Sequence, residues 1–292
     1  VRPEVKKVRF DVPGLLLFST SLVSLLVALT LGEQLGWESA EIVGLLALCL
    51  VGFVLFVYVE LGKGESALLD PRLFTKNRLF AAANLSAFLN YTSFFGVTFM
   101  ISFYLQRVLG MSVLDAGMVL LIMPVTMAVI SPISGRLSDR LGSRALASSG
   151  MFIVAMALIW LSTLEVDSPV WRVEIGLLLI GIGVGIFSSP NTSAVMGSVD
   201  KRKLGIASGT LATMRCSGQA TSLALMGAII ATVAGAGSIS GLISGDPSSV
   251  IVGAEEFVEG MNLAFLVCSV ISIAGGITSL ARGRPVAGST SP

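Results

Sequence analysis

The sequence predicts an all-α membrane protein of eight transmembrane helices, and three observations predict it. Hydrophobic residues make up 54% of the chain and charged residues only 13%, with a mean hydropathy of +0.89. Too few charges exist to cover a water-soluble surface. Eight apolar runs are each long enough to cross a hydrocarbon layer of about 30 Å, which takes roughly 20 helical residues. Lysine and arginine fall almost entirely in alternate connections between those runs, the asymmetry that sets membrane orientation. The runs are too long for barrel strands and lack alternation at period two, which leaves helices.

The first expected span, Val12 to Leu31, is rich in leucine and follows a basic lead-in, Val1 to Phe10. The second runs from Ser39 to Glu60. The third, Phe80 to Tyr104, is phenylalanine-rich but interrupted by Asn84, Asn90, Tyr91 and Thr92. The fourth, Val113 to Ser134, and the fifth, Ala145 to Leu164, flank the charged decapeptide Gly135 to Arg144. The sixth, Val173 to Ser193, contains Gly181, Gly183, Gly185 and Pro190. The seventh, Leu204 to Ala231, carries Arg215 well inside an apolar run, and the eighth spans Val258 to Leu280.

Orientation follows from the basic residues. With a cytoplasmic N-terminus, sixteen of the 19 lysines and arginines fall inside: Arg2, Lys6, Lys7, Arg9, Lys63, Arg72, Lys76, Arg78, Arg136, Arg140, Arg144, Lys201, Arg202, Lys203, Arg282 and Arg284. The opposite connections carry Glu33, Glu38, Glu165, Asp167, Asp246, Glu255 and Glu256. Trp37, Trp160 and Trp171 fall near the outer ends of spans, at the depth where an amphipathic ring sits among headgroups. Both termini are therefore expected in the cytoplasm, and the protein in the inner or plasma membrane.

Composition also excludes functions. A net charge of +1 with dispersed basic residues gives no footprint for nucleic acid. The chain contains no histidine, which removes the usual general base and the commonest metal ligand. Cys49, Cys216 and Cys268 each lie in apolar stretches and read as small hydrophobes rather than a zinc or disulfide framework. With no mid-span pair of acids and no serine beside an identifiable base, an enzyme is not expected, nor is a metal or cofactor.

The decapeptide Gly135-Arg-Leu-Ser-Asp-Arg-Leu-Gly-Ser-Arg144 reads as G-x-L-x-D-R-x-G-x-R in a short charged hairpin. It resembles the signature loop of the major facilitator superfamily. Taken with Phe10-Asp-Val-Pro-Gly14, Leu68-Leu-Asp-Pro-Arg-Leu-Phe74, the Gly181 to Pro190 run and Gly205-Ile-Ala-Ser-Gly209 followed by Arg215 and Gly218, the chain is similar to the C-terminal eight helices of a fourteen-span drug:proton antiporter. That resemblance implies two linker helices within residues 1–78 and a six-helix C-terminal bundle over 79–292, built of two inverted three-helix repeats. It also implies an N-terminal six-helix partner half on the same or a separate chain, which would carry most of the coupling carboxylates. The implied activity is efflux of a hydrophobic or amphipathic small molecule by alternating access, driven by the proton gradient. The alternative is a non-transporting membrane module, or a half-transporter that assembles with or regulates a partner.

Candidate residues follow from both sources. Asp139 could accept backbone N–H groups where the fifth span begins, a helix N-terminus with partial positive charge, so that Gly135, Asp139, Arg140, Gly142 and Arg144 form a gating loop. The plainer reading is a positive-inside anchor. Arg215 sits at a depth where an arginine costs about 2.5–3.5 kcal/mol, so it must face protein or water, with Gln219 and Thr213 near enough to solvate it. It is either a substrate or coupling residue or a structural clamp. Asn84, Phe88, Tyr91 and Phe95 recur at helical spacing. With Asn90 they either line a substrate cavity or supply interhelical hydrogen bonds. Gly181, Gly183, Gly185, Gly205 and Gly209 are expected to allow close helix packing, and Pro190 to bend the sixth span.

Overall fold

The structure, a computed structural model, describes residues 12–36, 39–63, 74–75, 77–244 and 247–281. The helices are α1 (Val12–Leu35), α2 (Ala40–Lys63), α3 (Arg78–Phe103), α4 (Val113–Leu120), α5 (Ile122–Leu141), α6 (Ser143–Leu161), α7 (Val170–Gly197), α8 (Leu204–Ser244) and α9 (Pro247–Leu280), with no strand among the described residues. A π-helical turn, Tyr104–Val108, extends α3. Six stretches are long and apolar enough to cross a membrane: Ala40–Val59, Arg78–Val108, Val113–Ser138, Ser143–Leu161, Val170–Gly197 and Gly253–Leu280. They coincide with six of the eight expected spans. The first and seventh expected spans are also helical, as α1 and α8, but they are not among the six, and α1 contributes a shorter apolar stretch, Leu16–Leu25.

Local chemistry explains several boundaries. Asn77 caps α3 by accepting the Phe80 N–H at 3.0 Å, and its Nδ2 donates to the Ser198 carbonyl at 2.6 Å. One side chain thereby starts α3 and ties it to the end of α7. Ser112 caps α4, accepting the Asp115 N–H at 3.1 Å and donating its hydroxyl to Asp115 Oδ2 at 2.6 Å. Helices α4 and α5 form one apolar span interrupted only at Leu121.

The decapeptide departs from the expected loop. Helix α5 runs through Arg136, Asp139 and Arg140 to Leu141, and α6 starts at Ser143, so Gly142 alone makes the turn. Its φ of 84° lies in the left-handed region, where an L side chain is strained. Asp139 and Arg140 sit in the last turn of α5, where Arg140 complements the negative helix end, while Arg136 lies a turn earlier and Arg144 lies in the first turn of α6. Helix α8 likewise continues to Ser244 rather than ending near Ala231, and α9 begins at Pro247 rather than Val258. Apolar content falls at those points, but a backbone hydrogen-bond ladder does not require apolar side chains.

The six helical layers from α3 to α9 pack in an exchange pattern. If α3, α4–α5 and α6 are one set and α7, α8 and α9 another, the first member of each set packs on the second and third members of the other. Thus α3 contacts α8 and α9, while α7 contacts α5 and α6. The third members, α6 and α9, pack on each other. The exchange is not complete, since α8 also packs closely on α9 while α5 and α6 touch little. Helices α1 and α2 pack mainly on each other, touching the bundle through α1 and α8.

Two apolar clusters fill the bundle. One gathers Phe94, Val97, Ile101 and Leu105 with Val154, Leu158, Val184 and Phe265. The other joins Phe80, Ala83 and Ala87 to Met151, Phe187, Val195 and Leu211. Where α6 meets α7, a Cβ on Gly150 would lie 2.5 Å from the Gly183 carbonyl oxygen, and one on Gly183 would lie 2.6 Å from that of Gly150. The two backbones are in direct contact there. Without an aqueous driving force, such small-residue contacts are how helices gain packing energy in lipid.

Candidate functional site

Three helices converge on Arg215. From α8 its Nη2 donates to Thr192 Oγ1 on α7 at 2.7 Å, and its Cζ lies 5.7 Å from the ring centroid of Tyr91 on α3. Gly218, one turn further along α8, makes this possible. A Cβ there would stand 2.6 Å from the Phe88 carbonyl oxygen and 2.9 Å from Tyr91 Cβ, so only glycine lets α8 lie close enough to set the guanidinium over the ring. Thr192 donates its own hydroxyl proton to the Ser188 carbonyl at 2.8 Å, which turns an oxygen lone pair toward Arg215. Tyr91 packs against Phe94 with centroids 5.2 Å apart.

The guanidinium is incompletely matched. Arg215 is half-buried, its Nε is buried without a hydrogen-bond acceptor, and the one side-chain bond it makes is to a neutral hydroxyl. The expected local solvation by Thr213 is replaced by Thr192, whose approach across a helix interface no sequence spacing reveals. Gln219 lies half-buried a turn beyond Arg215.

The polar residues of α3 do not share one setting. Asn84 is 0% exposed, its Nδ2 donates to the Phe80 carbonyl of its own helix at 2.9 Å, and its Oδ1 has no partner. Along the Asn84, Phe88, Tyr91, Phe95 stripe the surroundings change from fully buried at Asn84 to exposed at Phe95, although Gly96, Val97, Met100 and Ile101 beyond it are buried. Asn90 belongs to another face, in register with Ala83, Ala87, Phe94 and Val97. It too is 0% exposed, and neither its Nδ2 nor its Oδ1 has a hydrogen-bond partner.

At the other candidate site, α5 and α7 lie close together. A Cβ on Gly135 would be 2.7 Å from Ser189 Oγ, and Ser134 Oγ donates to the Gly185 carbonyl at 2.8 Å. Arg136, Arg140 and Arg144 are exposed around the Gly142 turn. The side chain of Asp139 lies outside the described residues. Pro190 is buried within α7. Gly181 and Gly185 abut α5, where added Cβ atoms would meet the Met123 carbonyl oxygen at 2.7 Å and Ile130 Cβ at 2.9 Å, whereas Gly183 faces α6. Gly205 and Gly209 differ from the expected packing. A Cβ at either would meet nothing within 4 Å, since α8 turns them away from the other described helices.

A crevice of about 450 Å³ opens near the α3 start, lined by Phe74, Arg78, Leu85, Met214, Thr278 and Ala281 among others. Asn84, Asn90, Tyr91 and Arg215 do not line it. Among the described residues no three His, Cys, Asp or Glu side chains gather as metal ligands.

The opposite end of the bundle is built for rigidity. Arg172 donates to Ser168 Oγ at 3.1 Å, to the Thr163 carbonyl at 2.9 Å and to Thr163 Oγ1 at 2.7 Å, and its guanidinium lies 5.8 Å from the Trp160 ring. Asn262 Nδ2 donates to the Leu164 carbonyl at 2.8 Å, and Tyr104 Oη donates to the Glu165 carbonyl. Residues from α3, α7 and α9 thus hold one α6–α7 connection.

Residues 14–223 match the model of the Major Facilitator Superfamily. Among curated proteins, the chain is 30% identical over 230 residues to the multidrug transporter protein MdtP of Bacillus subtilis, covering 78% of this chain and 42% of that protein. It is 34% identical over 206 residues to the riboflavin transporter RibZ of Clostridioides difficile, with 70% and 43% covered. It is 32% identical over 227 residues to the quinolone resistance protein NorB of Staphylococcus aureus, with 77% and 48% covered. The chain spans less than half the length of these relatives.

Proposed function

We propose, from the fact that this chain belongs to the major facilitator superfamily, that it forms the C-terminal part of a fourteen-span exporter that expels hydrophobic or amphipathic small molecules in exchange for protons. The chain is a multi-pass membrane protein of a transporter family. In the proposed arrangement α1 and α2 are linker helices, α3 to α9 form a six-span half, and both termini face the cytoplasm. The half rocks against an N-terminal counterpart around a site at mid-membrane, exposing it to each side in turn.

The observation that carries this reading is the bare face of α8. Gly205, Ser208, Gly209, Ala212 and Cys216 are all exposed and recur every three or four residues, so they form one strip of small side chains. In lipid such a strip serves to let a second helix approach closely. In the proposed two-repeat arrangement the equivalent of α8 is the α4–α5 span, and it too leaves apolar side chains open: Leu114, Met118, Leu121, Val125, Val129, Ile133, Leu137 and Leu141 are exposed. Two equivalent helices with uncovered faces fit a half-bundle whose counterpart docks on both.

The test is accumulation of a fluorescent amphipathic dye in cells expressing the chain with its six-helix counterpart. Accumulation is expected to fall, and to recover when an uncoupler collapses the proton gradient. Accumulation equal to that of cells with neither half contradicts the transport reading. A fall that survives the uncoupler contradicts the proton coupling alone.

A further inference from the structure

We propose that Arg215 is a carboxylate-receiving site, held ready by Thr192 and Tyr91, so that the pathway takes amphipathic molecules bearing an anionic carboxyl group. The inference rests on the transporter reading and specifies its substrate chemistry.

A guanidinium carries five N–H donors in one plane. Here one is engaged by Thr192 Oγ1, and Nε is buried with no acceptor at all. Tyr91 occupies the space over the guanidinium, and its ring attracts the cation without neutralising it. The Nη1 side of the plane, neither buried nor hydrogen-bonded, is the route by which a partner reaches the donors, the Nε edge being covered by protein. No carboxylate is paired with Arg215 among the described residues. A positive charge whose single side-chain hydrogen bond is to a neutral hydroxyl and whose Nε is buried unmatched is costly, and the planar fork matches a carboxylate through two parallel bonds. Thr192 and Gly218 fix the side chain before the ligand arrives, which lowers the ordering cost of binding. A purely structural clamp would engage the donors it has. The orphaned Nε shows that the protein groups around it leave part of this guanidinium unused.

The carboxylate has two possible sources with the same chemistry: a transported molecule, or an acidic side chain of the counterpart half. One pair of measurements separates them. The whole chain in lipid nanodiscs is titrated with 2-naphthoate and, separately, with the neutral 2-naphthalenemethanol, by probe anisotropy, and co-purification with the six-helix counterpart is measured alongside. If the source is a transported molecule, wild type binds naphthoate, and Arg215→Gln weakens it by about tenfold or more, the loss expected for a charge-assisted hydrogen bond. Binding of the neutral probe is then unchanged, which shows that the variant is folded. Tyr91→Leu, which keeps the arginine, gives a smaller loss. If naphthoate binds weakly and equally to both proteins while Arg215→Gln loses co-purification, the carboxylate belongs to the counterpart and the substrate assignment is overturned. Equal naphthoate binding with unchanged co-purification overturns the proposal. The proton-linked dye efflux of the wild-type assembly is measured independently, so failure here leaves the transport reading standing, and failure of efflux leaves the binding result interpretable.

Discussion

Asn90 is the residue whose burial has no structural return. A primary amide with no exposure and no hydrogen bond on either end costs stability that a leucine of similar size would not. Asn90→Leu is therefore expected to leave the thermal midpoint of the purified chain unchanged or raise it, while lowering dye efflux by the assembled transporter. A lowered midpoint would mean that the amide is a structural element. Gly150 gives the opposite expectation. Its Cβ position is already filled by the Gly183 carbonyl and the Phe187 backbone, and backbone cannot yield as a flexible side chain can. Gly150→Val should cost about 1–3 kcal/mol by overpacking, seen as a lower midpoint, whereas Gly209→Ala, with open space around it, should not move it. At this scale the sequence was legible in part. The charge of Arg215 inside an apolar run singled out a residue on which three helices converge, and the glycines of α7 do lie in close packing. Thr192 could not be found, because the spacing between α7 and α8 in the chain carries no record of which side chains face each other. Gly205 and Gly209 look identical to Gly181 and Gly185 in sequence, and only the bundle shows that one pair faces neighbours and the other faces out.

Helix α8 has two faces with different duties. One holds Arg215, Gly218 and Ser222 against α3 and α7, where Ser222 Oγ accepts the Gly96 N–H at 2.9 Å. The other presents the strip of small residues. A bulky side chain on the strip should therefore separate the two duties. Gly209→Trp is expected to insert and melt like wild type but to lose co-purification with the counterpart half, and retained co-purification would remove the strip from the interface. The α5–α6 turn makes a further prediction. Gly142 has a φ of 84°, so Gly142→Val should cost about 1–2 kcal/mol or more and impair transport, while Gly135→Ala needs only a shift of the Ser189 hydroxyl and should be milder. A reversed order in a dye-efflux series would remove the turn from the mechanism. Helix existence was readable from apolar length, because crossing a bilayer sets a minimum. Helix ends were less readable. The charged decapeptide looked like a loop because its composition is that of a loop, yet backbone hydrogen bonding carries the helix through Leu141 and leaves the turn to one glycine.

Across the whole molecule, α3 and α7 each pack closely on two helices of the other set. Both carry residues of the Arg215 cluster: Tyr91 on α3 and Thr192 on α7. The cluster therefore lies where the two repeats meet, the place at which a relative movement of the repeats or of a docked half would be felt first. Both ends of the bundle are tied across helices: one by Arg172, Tyr104 and Asn262, the Gly142 end by Asn77 on the Ser198 carbonyl and Ser134 on the Gly185 carbonyl. The class of the protein was legible from composition alone, whereas the two-repeat arrangement was expected only from the family resemblance.

The central claim is that α8's bare face is covered by a second six-helix half. Cys216 lies exposed on that face, and Cys49 and Cys268 can be replaced by serine to leave it alone. Oxidative cross-linking to single cysteines placed along each helix of the counterpart tests the claim most directly. A cross-linked product at positions recurring every three to four residues on one counterpart helix, with a yield that changes when substrate is added, is the predicted result. Absence of any product at every position, with the thiol reactive toward a lipid-phase reagent whether or not the counterpart is present, would contradict it.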